Sequence, residues 1–77
     1  MTNLEKYENA FVECFGVDKE QLEDFKYQDM DWDSVGHMTL MAALEEAFDI
    51  MLDTDDIIDF SSFKKGKEIL EKYDVEF

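Results

Sequence analysis

The chain has 77 residues, which is the size of a single domain with a modest core and marginal stability. It carries 21 acidic residues against 7 lysines, for a net charge of −14, and this sign excludes nucleic acid as an expected partner. One cysteine, no proline and no long apolar run favour a helical, cytoplasmic protein that neither spans a membrane nor is secreted.

The negative charge is concentrated in the middle of the chain. Residues 17–63 hold 14 acids and 2 lysines, whereas residues 64–77 hold 4 acids and 4 lysines. A solvated surface that only keeps the protein soluble would explain the total charge but not this asymmetry. We therefore expect partners with basic surfaces, which approach by salt-sensitive electrostatic steering.

The first predicted helix begins after a cap at Thr2 or Asn3 and ends at Gly16. Its Cys14 is interpreted as a small core residue, because nothing in the sequence suggests the electropositive setting that a reactive thiol needs. Apolar residues at helical spacing form one stripe along this helix: Leu4, Tyr7, Ala10, Phe11, Cys14 and Phe15.

Residues 17–33 lack a helical period over any long span and predict a long loop with one short helical turn near residues 20–25. Structureless loops of this length are uncommon in compact domains and are often functional. Apolar residues spread among seven acids would pin this loop to the core: Val17, Leu22, Phe25, Tyr27, Met30 and Trp32.

The acids of residues 29–33 resemble the start of an EF-hand loop. Such a loop needs Gly at its sixth position and Glu at its twelfth, and Ser34 and Leu40 stand there instead. One His and one Cys also make a zinc site an unfavourable interpretation. We therefore expect no metal site, apart from weak divalent-ion binding by the clustered carboxylates.

Residues 33–48 predict the helix around which the chain is organised. At about 100° per residue, one side carries an apolar group that a small domain can bury. The opposite side is also apolar, and we expect it to meet a partner or a ligand. The first side holds Leu40, Met41, Leu44, Ala47 and Phe48, and the second holds Val35, Met38 and Ala42 with Thr39 and Glu46 beside them.

Ser34 lies at the start of this helix, where N–H groups are unpaired and the helix dipole favours negative charge. A phosphate on its hydroxyl would be tolerated there. Asp33 and Ser34 are both favoured N-caps, so capping explains one of the pair and leaves the other open to a special role.

Ser34 and His37 are three residues apart, so their side chains can be neighbours. A Ser–His hydrolase also needs an oriented base, an oxyanion hole and a pocket, and no Gly-x-Ser-x-Gly elbow is present. We therefore expect no enzymatic activity. Packing against Trp32 is the favoured interpretation of His37.

Residues 53–58 predict a short third helix with Asp53 or Thr54 as its cap, and Ser61 or Ser62 would cap the last helix. The tail 74–77 is expected to fray. The apolar stripe of the last helix consists of Phe63, Gly66, Ile69, Leu70 and Tyr73.

The run Asp33-Ser34-Val35, followed by a helix that ends in residues 42–48, resembles the acyl carrier protein family, whose motif is Asp-Ser-Leu at the start of its second helix. Residues 48–52 and 60–63 resemble the family's following loop and the entry to its last helix. The resemblance covers nearly the whole chain. It implies one all-α domain over residues 1–77, a four-helix bundle with a long loop between helices 1 and 2 and a short third helix.

The resemblance also implies a stand-alone carrier. A phosphopantetheinyl transferase would attach the 4′-phosphopantetheine arm of coenzyme A to Ser34, Asp33 would help to hold the magnesium ion used in the transfer, and contact with the arm is the alternative role of His37. The arm would carry acyl thioesters to acyl-transferring or acyl-activating enzymes of fatty acid, polyketide-like or other specialised acyl metabolism. The protein would be a monomer and would perform no chemistry itself. The implied docking residues are Val35, Met38, Ala42, Glu45, Glu46 and Ile57.

Several positions depart from the family pattern. Gly36 and Thr39 stand where carriers of central fatty acid synthesis usually have acids. Val35 replaces Leu, Asp31 stands where Gly is common, and Asp53 stands where proline is common. The altered docking surface favours a carrier dedicated to a specialised pathway. The alternative is an acidic, carrier-like module that is never modified and that regulates or scaffolds a partner.

Overall fold

The computed structural model describes residues 1–29 and 32–77, and it is mostly helical. The all-α prediction is confirmed, as are the short third helix and the helical turn between the first two long helices. In the described part of the chain, the elements are α1 (Asn3–Phe15), a 3₁₀ helix (Lys19–Asp24), α2 (Ser34–Phe48), α3 (Thr54–Asp59) and α4 (Phe63–Glu71).

Helix α1 is closed at both ends by local interactions. The Thr2 hydroxyl accepts a hydrogen bond from the Glu5 N–H at 3.1 Å, and the Glu5 carboxylate accepts one from the Thr2 N–H at 3.0 Å. This reciprocal pair satisfies two donors that a helix start leaves open. Gly16 ends the helix with φ of 68°, a left-handed conformation that glycine adopts without a steric penalty.

An aromatic cluster forms the core between α1, α2 and α4. Trp32 is fully buried within it, and its ring stacks on Phe15 and Phe25 with centroid distances of 5.5 and 5.3 Å. The segment between α1 and α2 is therefore pinned by its apolar residues, as the sequence predicts. Four of the six predicted anchors (Val17, Leu22, Phe25 and Trp32) are buried, Tyr27 is half-buried, and Met30 lies outside the described residues.

Helix α2 has the two-sided pattern expected from its sequence. Leu40, Met41 and Leu44 are buried against α1 and the core, and Phe48 is half-buried. Ala47 is a correction, because it lies at the edge of this side in the last turn and is exposed. The predicted uncovered side is exposed throughout: Val35, Met38, Thr39, Ala42 and Glu46.

Helix α4 approaches the core at very short range. A Cβ atom at Gly66 would overlap the Tyr7 hydroxyl and the Phe60 ring. The Tyr7 hydroxyl donates a hydrogen bond to the Phe63 carbonyl at 2.6 Å, which fixes α4 against α1. Gly66 is therefore required by space and not by backbone conformation.

Two expectations about the ends of the chain are wrong. Leu4 lies in the first turn of α1, beyond the residues that pack on this helix, and is exposed. The tail 74–77 does not fray, because Val75 is buried and the Glu76 carbonyl accepts a hydrogen bond from the Asn3 side chain at 2.9 Å. The Phe77 ring also packs on Tyr7, with a centroid distance of 5.2 Å.

Two backbone hydrogen bonds join the segment after the 3₁₀ helix to the start of α4. The Tyr27 N–H donates to the Ser61 carbonyl, and the Phe63 N–H donates to the Phe25 carbonyl, both at 2.9 Å. These bonds hold Tyr27 and Ser61 side by side next to the N-terminus of α2. They fix one wall of the candidate site.

Candidate functional site

Asp33 is the N-cap of α2, and Ser34 is its first helical residue. One Asp33 carboxylate oxygen, Oδ1, accepts a hydrogen bond from the Gly36 N–H at 2.8 Å. The Ser34 side chain is exposed, and its Oγ lies 3.3 Å from the Tyr27 hydroxyl. Of the two candidates, Asp33 is thus the N-cap, and the Ser34 hydroxyl does not cap the helix.

His37 lies one turn into α2 and bonds through both ring nitrogens. Its Nδ1 accepts a hydrogen bond from the Trp32 indole N–H at 2.9 Å, and its Nε2 lies 2.7 Å from the Ile57 carbonyl oxygen of α3. The rings of His37 and Trp32 stack at 20°, so the contact expected from the sequence is present. Neither nitrogen bonds to Ser34.

A pocket of about 410 Å³ opens beside Ser34, between α2, α3 and the Tyr27 segment. Apolar atoms make up most of its surface, and three of the lining residues carry hydroxyl groups. Its volume is in the range of ordinary small-molecule sites. The lining residues are Tyr27, Ser34, His37, Met38, Ile57, Ile58, Phe60 and Ser61.

A second, shallower groove of about 590 Å³ runs along the outer face of α2. Ser34 and Met38 line both hollows, so the Ser34 hydroxyl lies where they meet. Val35 is 76% exposed and Met38 is 56% exposed, and the two line this groove together, so they form a contiguous apolar patch. This face therefore offers apolar surface to a partner.

The predicted docking residues do not share one environment. Val35, Met38, Ala42 and Glu46 lie exposed on α2. Ile57 is half-buried and lines the pocket. Glu45 is half-buried, and its carboxylate accepts a hydrogen bond from the Leu52 N–H at 2.8 Å. Its carboxylate is thus engaged in holding the loop after α2.

A polar cluster holds the first turns of α3 against the end of α4. Asp56 is buried, and its carboxylate accepts hydrogen bonds from Lys72 Nζ and from the Tyr73 hydroxyl, both at 2.5 Å. The Tyr73 oxygen in turn accepts a bond from the Asp53 N–H at 2.9 Å. The bond from Lys72, followed by that from Tyr73, lowers the pKa of Asp56 below its ordinary value.

Sequence reasoning missed Tyr27, Ile58 and Ser61 as members of the pocket, and it missed the Asp56 cluster. The pairing of Tyr27 with Ser61 depends on a contact between residues far apart in the chain, which no local pattern indicates. Ile58 carried one usable signal: it follows Ile57 in a six-residue helix that cannot bury both.

Two general findings concern residues 1–29 and 32–77 alone. No group of three or more His, Cys, Asp or Glu side chains in these ranges is arranged to hold a metal ion. No helix within them is long and apolar enough to cross a membrane. Asp31, in the run that resembles an EF-hand, lies outside the described residues.

Comparisons with protein-family models, with curated proteins and with solved structures find no match to this chain. The resemblance to the acyl carrier family therefore rests on the residues of the sequence alone.

Proposed function

We propose that this chain is a stand-alone acyl carrier protein with Ser34 as the attachment point of 4′-phosphopantetheine. One observation carries the proposal. Asp33 caps α2 by itself, and the neighbouring Ser34 is exposed and lines a largely apolar pocket. A serine that the helix does not need, placed between a pocket and an exposed apolar face, suits a covalent anchor.

The chain's own residues fit the group to be attached. Ser34 Oγ would form the new bond to the β-phosphorus of coenzyme A, while the bond from that phosphorus to adenosine 3′,5′-bisphosphate breaks. The hydroxyl proton would pass to a base of the transferase. The resulting phosphodiester would lie at the N-terminus of a 15-residue helix, where unpaired N–H groups and the dipole favour negative charge.

Asp33 has a second role in this proposal. Its Oδ1 is engaged in the cap, and Oδ2 of the exposed carboxylate would help to hold the magnesium ion of the transfer reaction. When bound, the arm would supply a terminal thiol that carries acyl groups as thioesters. The pocket beside Ser34 would shelter part of the arm or of a short cargo, with His37 and Tyr27 on its walls.

Partner enzymes would dock on the exposed face of α2 and on α3. Val35, Met38 and Ile58 supply the apolar contacts, and Ile58 is 72% exposed. The acids concentrated in residues 17–63 favour a partner whose recess is rimmed by Lys or Arg. Gly36 and Thr39, which stand where carriers of central fatty acid synthesis usually have acids, leave fewer ionic contacts along α2. This composition supports a carrier dedicated to a specialised pathway.

The Ser–His hydrolase interpretation has less support, because both His37 nitrogens already have partners in Trp32 and Ile57. A general base must lie within hydrogen-bond reach of the proton that it removes. In the proposed function, chemistry belongs to the partner enzymes, and this chain contributes the anchor, the pocket and the docking face.

The test is the intact mass of the protein after incubation with coenzyme A, Mg²⁺ and a phosphopantetheinyl transferase of broad specificity. We expect the wild-type chain to gain one phosphopantetheine and the Ser34→Ala variant to gain none. Ser61→Ala is the matched control, because Ser61 is an exposed serine on the same pocket, and it should be modified like the wild type. An unchanged wild-type mass, with a known carrier modified in parallel, would favour the unmodified regulatory module.

A further inference from the structure

His37 joins the two walls of the pocket through a pair of hydrogen bonds with defined directions. The Trp32 indole nitrogen can only donate, so Nδ1 of His37 must accept and carries no hydrogen. The Ile57 carbonyl can only accept, so Nε2 must carry the hydrogen and donate. One neutral tautomer, with hydrogen on Nε2, satisfies both partners, and no other protonation state does.

Both partners depend on this side chain. Trp32 is fully buried, and an indole N–H left there without an acceptor is costly. Ile57 lies in the last turn of α3, where carbonyl groups have no partner within the helix. Helix α3 has only six residues and cannot be stable by itself, so it depends on such contacts from the rest of the chain.

We propose that neutral His37 is the positioning residue of the pocket beside Ser34: it holds the α3 wall in register with the buried Trp32, and protonation uncouples the two. A proton on Nδ1 would face the Trp32 N–H, donor against donor, whereas the bond to Ile57 would persist. The His37 ring would then remain bonded to α3 but lose its bond to Trp32. The wall formed by Ile57 and Ile58 would therefore shift relative to Ser34. The use of the pocket for an arm depends on the proposed function, but the coupling itself does not.

The titratable groups around the ring come from each neighbouring element. The Tyr27 phenol lies on one side, with a centroid distance of 5.5 Å, and the Phe60 ring on another side brings no titratable group. Asp33, one turn earlier on α2, caps Gly36 with its carboxylate. On and beside α3, Asp56 is bound by Lys72 and Tyr73 after the end of α4, and Asp53 and Asp59 are exposed. In residues 1–29 and 32–77, the ion pairs are Lys64–Glu23 and Lys72–Asp56, so none includes His37.

The chain offers a direct optical test, because it contains one histidine and one tryptophan. We expect the fluorescence emission of Trp32 in the unmodified protein to change reversibly in a single transition on acidification, while circular dichroism shows that the helices remain folded. The transition should be absent from His37→Gln, whose side chain does not titrate. A flat wild-type profile would overturn the proposal, as would the same transition in the variant.

Two further measurements separate positioning from a loss of folding. At one neutral pH, the amide hydrogens of Ile57 and Ile58 should exchange about tenfold faster in His37→Gln, and those of α1 and α4 should be accelerated less than these. Where the variant does not fold, the ¹⁵N spectrum of the wild-type imidazole decides: hydrogen on Nδ1 at pH 8 contradicts the proposal. No transferase is involved, so a negative result here leaves the Ser34 test unaffected.

Discussion

Helices α3 and α4 are held to the molecule by different kinds of interaction. Helix α4 buries Phe63, Ile69 and Leu70 in the aromatic core and brings Gly66 against two rings of that core. Helix α3 buries one side chain, the charged Asp56, while Ile57 is half-buried and Ile58 is exposed. Apolar packing thus fixes α4, whereas α3 is fixed by a few hydrogen bonds.

The difference matters because the two kinds of attachment fail differently. Apolar burial is spread over many atoms, so one surface change affects α4 little. The attachment of α3 is concentrated in the bonds from His37, Lys72 and Tyr73, so one substitution removes a large share of it. The helix that forms a wall of the pocket is therefore the element that can move without unfolding the rest.

Gly66→Ala should have the largest effect, because the new Cβ has no room between Tyr7 and Phe60. Overpacking of a core costs about 2 kcal/mol, and here it would outweigh the better helix propensity of alanine. Urea unfolding of the whole chain measures the loss. Lys65→Ala, at an exposed site of the same helix, is the matched control and should leave the midpoint nearly unchanged. Equal midpoints for the two variants would show that α4 tolerates the added methyl group.

Tyr73→Phe should affect α3 more than the whole molecule. The hydroxyl links Asp56 to the Asp53 N–H, and its removal leaves both without that partner. We expect the amide hydrogens of α3 to exchange about tenfold faster, with a smaller change in global stability. Hydrogen exchange read residue by residue makes the distinction. A uniform increase across α1 and α4 would mean that α3 is not a separate unit.

The smallest effect is expected from acid. Hydrogen bonds from Lys72 and then from Tyr73 lower the pKa of Asp56 below the ordinary carboxyl value of 3.8. The ionised Asp56 carboxylate therefore stabilises the fold fully above that value, and this stabilisation is lost as the pH falls towards the lowered pKa. In Lys72→Met the pKa should move back up, so the stability difference between wild type and variant should shrink between about pH 5 and pH 2. Urea midpoints measured at each pH provide the test. A difference between wild type and variant that does not change with pH would show that ionised Asp56 does not stabilise the fold.

Local patterns in the sequence predict much of this fold. The period of residues 33–48 indicates two apolar sides, and the structure buries one of them and exposes the other. Thr2, Gly16 and Ser62 were candidate caps by residue type, and each one caps a helix. These features depend on residues within one or two turns, where backbone geometry limits the outcome.

Contacts between residues far apart in the chain account for the features that the sequence did not predict. The tail packs because Val75 and Phe77 reach the core and Asn3 reaches the Glu76 carbonyl, which are contacts between opposite ends of the chain. The pocket requires the pairing of Tyr27 with Ser61. The N-cap of α2 was predictable only as a choice between Asp33 and Ser34, and the structure shows that Asp33 takes that role.

The cap at Asp33 has a consequence for recognition. Because α2 starts on the aspartate, covalent addition at Ser34 Oγ, or its loss, would leave the helix register and the backbone around it the same. If Ser34 carries the arm proposed above, the protein with and without the arm would then present the same α2 surface to an enzyme. Such an enzyme could distinguish the two forms only by contacting the arm itself, so its selectivity would have to reside in the site that receives the arm.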